Sequence, residues 1–151
     1  MELLFKQHIK DPQLFFKLLP KSWQNGIVPY WQTYTGKAEI YTLEENGSIV
    51  AGGVIFKGLS EDVKDFQDEA KHWFDRGYFY IGYVWVVKSK RGQNLGSQWI
   101  KELLKYHPHT NFWLTIEEEK LKTFYLKNGF RLIKKLQKAN AIEWVLVYEN
   151  K

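Results

Sequence analysis

Apolar residues recur along this chain with two periods, and the switches between them mark its elements. Leu14, Phe15, Leu18 and Leu19 share one helical face, which predicts a helix from Pro12 to Leu19, closed by Pro20. An irregular aromatic stretch with Trp23, Tyr30, Trp31 and Tyr34 follows. Glu39–Leu43 and Ile49–Phe56 are rich in strand-forming residues and flank Glu45-Asn46-Gly47-Ser48. Asn-Gly supplies the two positive-φ positions of a type I′ turn, so the pair is predicted to form a hairpin. Ser60 suits an N-cap, Glu61 and Asp62 suit a first helical turn, and Val63, Phe66, Ala70, Trp73 and Phe74 continue at helical spacing until Gly77.

Tyr78 to Val87 is apolar at alternating positions on both sides, as in a strand covered on both faces. Leu95, Trp99, Ile100, Leu103 and Leu104 predict a second amphipathic helix, and Phe112–Ile116 a further strand. Leu121, Phe124 and Tyr125 mark a short helix that Asn128-Gly129-Phe130 ends as a left-handed cap with an apolar follower. Arg131–Leu136 and Ala141–Tyr148 read as an antiparallel finish. The alternation predicts an α+β layered fold with one long central sheet.

The chain has 151 residues, 44% of them hydrophobic and 26% charged. No repeat, charge block or Ser/Gly-rich linker divides it, so residues 1–151 read as a single domain, able to bury roughly 70% of its unfolded surface. There is no cysteine, which excludes disulfides, thiolate metal sites and a cysteine nucleophile. The longest strongly apolar run, Tyr78 to Val87, is too short to span a membrane, and the N-terminus lacks a signal-peptide pattern. A cytoplasmic protein with no membrane contact is the expectation. A formal net charge of +5 favours anionic ligands only mildly.

Candidate chemistry concentrates between Val86 and Ser97. Lys88-Ser89-Lys90-Arg91-Gly92-Gln93-Asn94-Leu95-Gly96-Ser97 turns from a buried strand straight into a helix. Bare amides at a helix start, with the macrodipole behind them, form an anion site, and glycines allow a diphosphate to approach. Neither a Walker A loop nor the dinucleotide glycine fingerprint is present. His107-Pro108-His109 lacks a third ligand, so no metal is expected. Ser97 lacks the nucleophile elbow of a serine hydrolase. Glu61, Asp65, Asp68 and Glu69 form an acidic helix face, which is either solvated or an attractor of a cationic partner.

Arg91 to Ser97 resembles the Arg/Gln-x-x-Gly-x-Gly/Ala loop of the GNAT superfamily of acyl-CoA-dependent N-acetyltransferases. Thr123 to Phe130 resembles that family's Phe-Tyr-x-Lys-x-Gly-Phe segment, with Lys127 at its lysine. The two stand in the family's order with a strand between them, and the resemblance spans about residues 39–148. It implies a three-layer fold with helices on both faces of a mixed, mostly antiparallel central sheet, splayed between two strands. Acetyl-CoA is the implied co-substrate, with no metal. Its pantetheine arm would pair with the backbone of Trp85, Val86 and Val87, and its diphosphate would lie on Arg91, Gly92, Gln93, Asn94, Leu95, Gly96, Ser97 and Lys127.

Tyr125 is the implied general acid: a phenol stays protonated at neutral pH and can serve the departing thiolate. Shared spacing with Leu121 and Phe124, taken on its own, favours a core role. Glu118 is a weaker candidate, as general base. The strand Tyr78–Val87 carries no acid, so water relayed through Tyr80 or Tyr83 is an alternative. Two residues depart from the family pattern: Asn94 replaces the loop's first Gly, and Glu118 stands where many members have an Asn that contacts pantetheine. The implied acceptor is a small-molecule or peptide amine. Trp23, Tyr30, Trp31 and Tyr34 fall on the acceptor side, as pocket or as core. Homodimers are common in the family. Two other readings are a non-catalytic acyl-CoA sensor of the same fold and, in a different class, a basic, aromatic nucleic-acid-binding module. The second is disfavoured because the strand aromatics alternate to both faces.

Overall fold

A computed structural model describes residues 2–138 and 141–150. Seven strands form one sheet: β1 (Leu3–His8), β2 (Ala38–Glu45), β3 (Ser48–Phe56), β4 (Phe79–Val86), β5 (Phe112–Ile116), β6 (Arg131–Lys138) and β7 (Ala141–Tyr148). Their order across the sheet is β1-β2-β3-β4-β5-β7-β6, and every neighbouring pair is antiparallel except β4 and β5. Helices α1 (Gln13–Phe16), α2 (Lys21–Ile27) and α3 (Gln67–Phe74) cover one face; α4 (Leu95–Tyr106) and α5 (Leu121–Lys127) cover the other. This is the expected layered α+β architecture. No described helix is long and apolar enough to cross a membrane.

The hairpin forms as predicted, with Asn46 at φ 53° and Gly47 at φ 82° between Glu45 and Ser48. Gly52 and Gly53, in the middle of β3, let two helices close on opposite faces of the same strand. A Cβ at Gly52 would lie 2.6 Å from the Phe15 ring, and one at Gly53 2.6 Å from the Trp99 ring. The first core holds Phe15, Phe16, Ile27, Tyr34, Trp73 and Trp113; the second holds Trp99, Ile100, Leu103, Phe112, Tyr125 and Phe130. The α5 cap also forms: the Phe130 N–H donates to the Tyr125 carbonyl at 3.1 Å and drops the Phe130 ring into the second core.

Several boundaries differ from the sequence reading. β1 was not anticipated; it joins the edge of β2 with an alternating exposure pattern. The helix expected over Pro12–Leu19 is limited to Gln13–Phe16, and the aromatic stretch folds into α2 and a 3₁₀ segment, Val28–Tyr34. The helix expected after Ser60 is broken. Glu61–Phe66 is a 3₁₀ segment kinked at Val63 before α3 begins, and the Ser60 side chain makes no cap hydrogen bond.

Candidate active site

The site begins where two strands part. β4 and β5 are paired only at Phe79 with Phe112 and Tyr80 with Trp113, after which they diverge. One cause lies in β4. Its register against β3 runs from Val54 opposite Gly82 to Gly52 opposite Trp85, so β4 holds one extra residue there. Tyr83, at the bulge, has φ 56°, a left-handed conformation that is uncommon for a bulky residue. The bulge bends the strand and shifts its alternation. Tyr80, Tyr83 and Trp85 all face the first core, while Ile81, Val84 and Val86 face the second. The strand is therefore not covered on both faces throughout: from Tyr83 onward it is half-buried, because its neighbour has left.

The mouth of the gap on the second face is the start of α4. Asn94 takes φ 64°, the left-handed conformation that Asn tolerates better than other non-glycine residues. The Gln98 N–H donates to the Asn94 carbonyl at 3.1 Å. The amides of Leu95, Gly96 and Ser97 precede that first helical bond and have no carbonyl behind them within the helix. Asn94, Ser97, Gln98, Lys101, Lys127 and Asn128 line a cleft of about 330 Å³. Asn128 ties α5 to α4 by donating to Ser97 Oγ at 3.1 Å and to the Phe124 carbonyl at 2.8 Å. A Cβ at Gly96 would lie 3.1 Å from the Phe124 ring, so this position brings the helix start close to α5. Leu95 is buried and anchors the turn; Gly92 and Gln93 are exposed.

The basic residues of the loop are dispersed. Arg91 donates from Nε to the Val86 carbonyl at 3.1 Å, with its guanidinium 4.4 Å from the Trp85 ring centroid. Lys90 is held by Glu45 at 2.9 Å, and Lys88 is exposed. The Val87 N–H donates to the Val50 carbonyl at 2.9 Å, so the Val86 carbonyl of the same peptide points the other way, to the gap. Lys101 joins this cleft although the sequence reading did not select it; its signal was a cation one turn beyond Ser97 on the same helix.

Tyr125 lies in the second core against Phe124 and Phe130, at ring distances of 4.9 and 5.5 Å. Burial pushes its phenol above the ordinary value of 10, so the hydroxyl stays neutral across the physiological range. Glu118 is exposed and paired with Lys120 at 3.0 Å. Trp31 and Tyr34 pack on Phe16 and Phe56, whereas Trp23 and Tyr30 keep 36% exposure. Trp23 stands edge-on to Tyr83 and Trp85 at 6.1 and 5.2 Å, forming an aromatic wall at the gap. His107 accepts or donates a hydrogen bond with the Tyr41 hydroxyl at 3.0 Å within an aromatic cluster, and no metal-binding group occurs among the described residues.

The sequence reading missed a polar network on the first face. The Tyr80 hydroxyl donates to Asp62 Oδ2 at 2.6 Å and lies 3.1 Å from Thr115 Oγ1. Asp62 is open to water within a concavity; desolvation, with the charge of Glu117, raises its pKa against the Tyr80 hydrogen bond. Beyond Thr115, on β7, stands Glu143, 9% exposed. Desolvation first, then the charges of Asp62, Glu117 and Asp65, hold its carboxyl up at about 7 against the Thr115 hydrogen bond. Glu143 lines a cavity of about 220 Å³ with Glu117, Ala141 and Ile142. Its signal in the sequence was parity: it shares a strand face with the buried Val145 and Val147.

Comparison with known proteins points the same way. Many solved structures share the fold, among them three that match nearly the whole chain. A GNAT family acetyltransferase from Elizabethkingia anophelis with acetyl-CoA bound is 15% identical, covers 97% of each chain and gives a TM-score of 0.63. An acetyltransferase from Bacillus subtilis in complex with CoA is 13% identical, covers 98% of this chain and 99% of that one, and gives 0.65. An aminoglycoside 6'-N-acetyltransferase complexed with coenzyme A is 12% identical, covers 95% of each chain and gives 0.69. No curated protein matches the chain significantly. The sequence profile of the acetyltransferase (GNAT) family matches residues 8–130, and with the parted strands and the bare helix start already described, the chain belongs to that family.

Proposed function

We propose that this protein is an N-acetyltransferase that moves the acetyl group of acetyl-CoA to a primary amine by direct attack. One observation carries the reading: a gap between β4 and β5 that ends at the unsatisfied amides of α4. Those amides, the cleft cations Lys101 and Lys127, and the close approach at Gly96 suit a diphosphate. The pantetheine arm adds to the free edge of β4 at Trp85 and Val86, as a peptide adds to a sheet edge. The Val86 carbonyl becomes available when Arg91 turns from it toward the diphosphate; the Val87 N–H stays with Val50. Solved relatives of the same fold hold acetyl-CoA or CoA.

Acetyl-CoA supplies a thioester as the electrophile. A backbone N–H near Val86 polarises its carbonyl, the amine attacks, and the C–S bond breaks from the tetrahedral centre. Tyr125, neutral and shielded, acts as general acid to the leaving thiolate. As proton acceptor, Glu118 finds little support in its exposure and its ion pair with Lys120. Acetyl-CoA at a hundredfold excess over Kd should stabilise the protein by about 3 kcal/mol, read as a rise in melting temperature. Tyr125→Phe should lower turnover about 10²-fold in a thiol-release assay while keeping that stabilisation. Unchanged turnover removes Tyr125 from the reaction; absence of stabilisation in the wild type removes acetyl-CoA.

A further inference from the structure

We propose that the acceptor enters as an ammonium ion on the α1–α3 side of the gap, and that Glu143 is the carboxylate that takes its proton. The proposal rests on the acetyl-transfer reading above. Glu143 is the one charged residue among the described residues that is buried. The other largely buried acidic side chains, Glu44, Glu45 and Glu69, each hold a lysine, Lys6, Lys90 and Lys134 respectively. Among the described residues Glu143 holds none, in a chain with 22 Lys and Arg residues. A buried carboxylate without a cation is costly, and a cation arriving from outside offsets that cost.

Its position fits that arrival. Glu143 follows the register in which Ile116 faces Trp144, so it stands beside the end of β5, where β4 has already turned away. Thr115 Oγ1 meets the Tyr80 hydroxyl, which donates to Asp62. Asp62 Oδ2 in turn lies 3.6 Å from where a Cβ on Gly82 would stand. The polar network thus runs from β4 across β5 to β7 at the floor of the gap. Beside it Trp23 packs edge-on to Tyr83 and Trp85, and the guanidinium of Arg91 on Trp85 shows that one of these rings accepts a cation.

Acidic and neutral groups stand nearest Glu143, while on β6 Lys134 and Lys138 flank its partner Leu136 on the same face, Lys134 being held by Glu69 at 3.0 Å. Asp62 and Asp65 come from the 3₁₀ segment, Glu117 and Thr115 from the end of β5, and Leu136 from β6. Burial and these charges keep the carboxyl near 7, which matches a base to neutral pH. The proton balance closes. The Glu143 carboxylate takes one proton from the ammonium and later releases it to solvent. The freed nitrogen lone pair forms the C–N bond, and the C–S bond breaks with its electron pair on sulfur. The second nitrogen proton passes from the tetrahedral centre to water, and the Tyr125 hydroxyl gives its proton to sulfur and regains one from water.

Thiol release is measured with three probes: spermidine and phenethylamine, both ammonium ions at neutral pH, and hydroxylamine, which is already unprotonated there. Glu143→Gln should lower kcat for both ammonium probes at least 100-fold and abolish the acid limb of the wild-type pH profile. Hydroxylamine turnover and acetyl-CoA stabilisation should stay within about fivefold and a degree of wild type, which a merely structural role would not produce. Asp62→Asn should move the acid limb to lower pH, since it removes a negative neighbour. If Glu143→Gln does not fold, Glu143→Asp should lose about tenfold with the ammonium probes and little with hydroxylamine. The proposal is overturned if Glu143→Gln acetylates the ammonium probes at wild-type rates, or loses all three probes equally. It is also overturned if the wild type binds acetyl-CoA yet acetylates neither ammonium probe. A wild type that does not bind acetyl-CoA defeats the underlying function instead.

Discussion

Gly53→Ala tests how β3 and α4 fit together beneath the site. The new methyl would stand 2.6 and 2.7 Å from two carbons of the Trp99 ring. Ordinary carbon contacts begin near 3.5 Å, so the ring must retreat by roughly 0.8 Å. Trp99 is fully buried, and its Nε1 donates to the Tyr41 carbonyl at 3.0 Å, so the retreat also stretches a buried hydrogen bond. Overpacking costs about 1–3 kcal/mol and the weakened bond about 1 more, a total near 3 kcal/mol. For a domain of this size that lowers the melting temperature by about 6–12 °C. Trp99 is one turn beyond Gly96 on α4, so the helix start moves with it and acetyl-CoA stabilisation should fall as well. Gly58→Ala is the control, with nothing within 4 Å of its added carbon. It should melt within about 0.5 kcal/mol of wild type. Thermal melting with and without acetyl-CoA reads both variants, and a Gly53→Ala protein that melts with the control refutes this packing.

Asn94→Ala should cost about 1 kcal/mol and weaken acetyl-CoA binding, because Ala resists the left-handed conformation at the helix start. Asn94→Gly should melt near wild type, and equal melting of the Ala and Gly variants would argue against that backbone conformation. Glu143→Gln should also change the pH dependence of stability. The folded carboxyl titrates at about 7, above the model-peptide value of about 4.3, so its contribution is full below the unfolded pKa and is lost as pH rises through the folded one. The loss amounts to about 3 kcal/mol, so the variant should gain stability over wild type between pH 5 and pH 8 in denaturant titrations. A constant difference across that range would mean that Glu143 does not titrate there.

Helices with a strong apolar stripe, such as α4, could be read from sequence because one face alone decides their burial. The hairpin could be read because Asn46-Gly47 is a local conformational demand. β1 could not: Leu3–His8 is a strand only because β2 offers an open edge, and that edge is more than thirty residues away. The bulge at Tyr83 left no local mark, since nothing but the β3 register requires a left-handed tyrosine there. The loop and helix start proposed to hold the acyl carrier were readable because residues 88–97 are continuous in the chain, whereas Lys101, further along α4 in the same cleft, was not selected. The polar network was not readable, because Asp62, Tyr80, Thr115 and Glu143 come from four separate elements and meet only after folding.

The extra residue in β4 also sets a rule for change in this molecule. Deleting one residue between Gly82 and Trp85 would restore plain alternation while leaving Trp85 opposite Gly52 and Val86 opposite Ala51, so each side of the strand end would keep the side chains it has now. What would go is the local bend, and with it part of the divergence from β5. Substitutions can therefore retune either side separately, whereas a single-codon deletion here acts on the width of the opening between them.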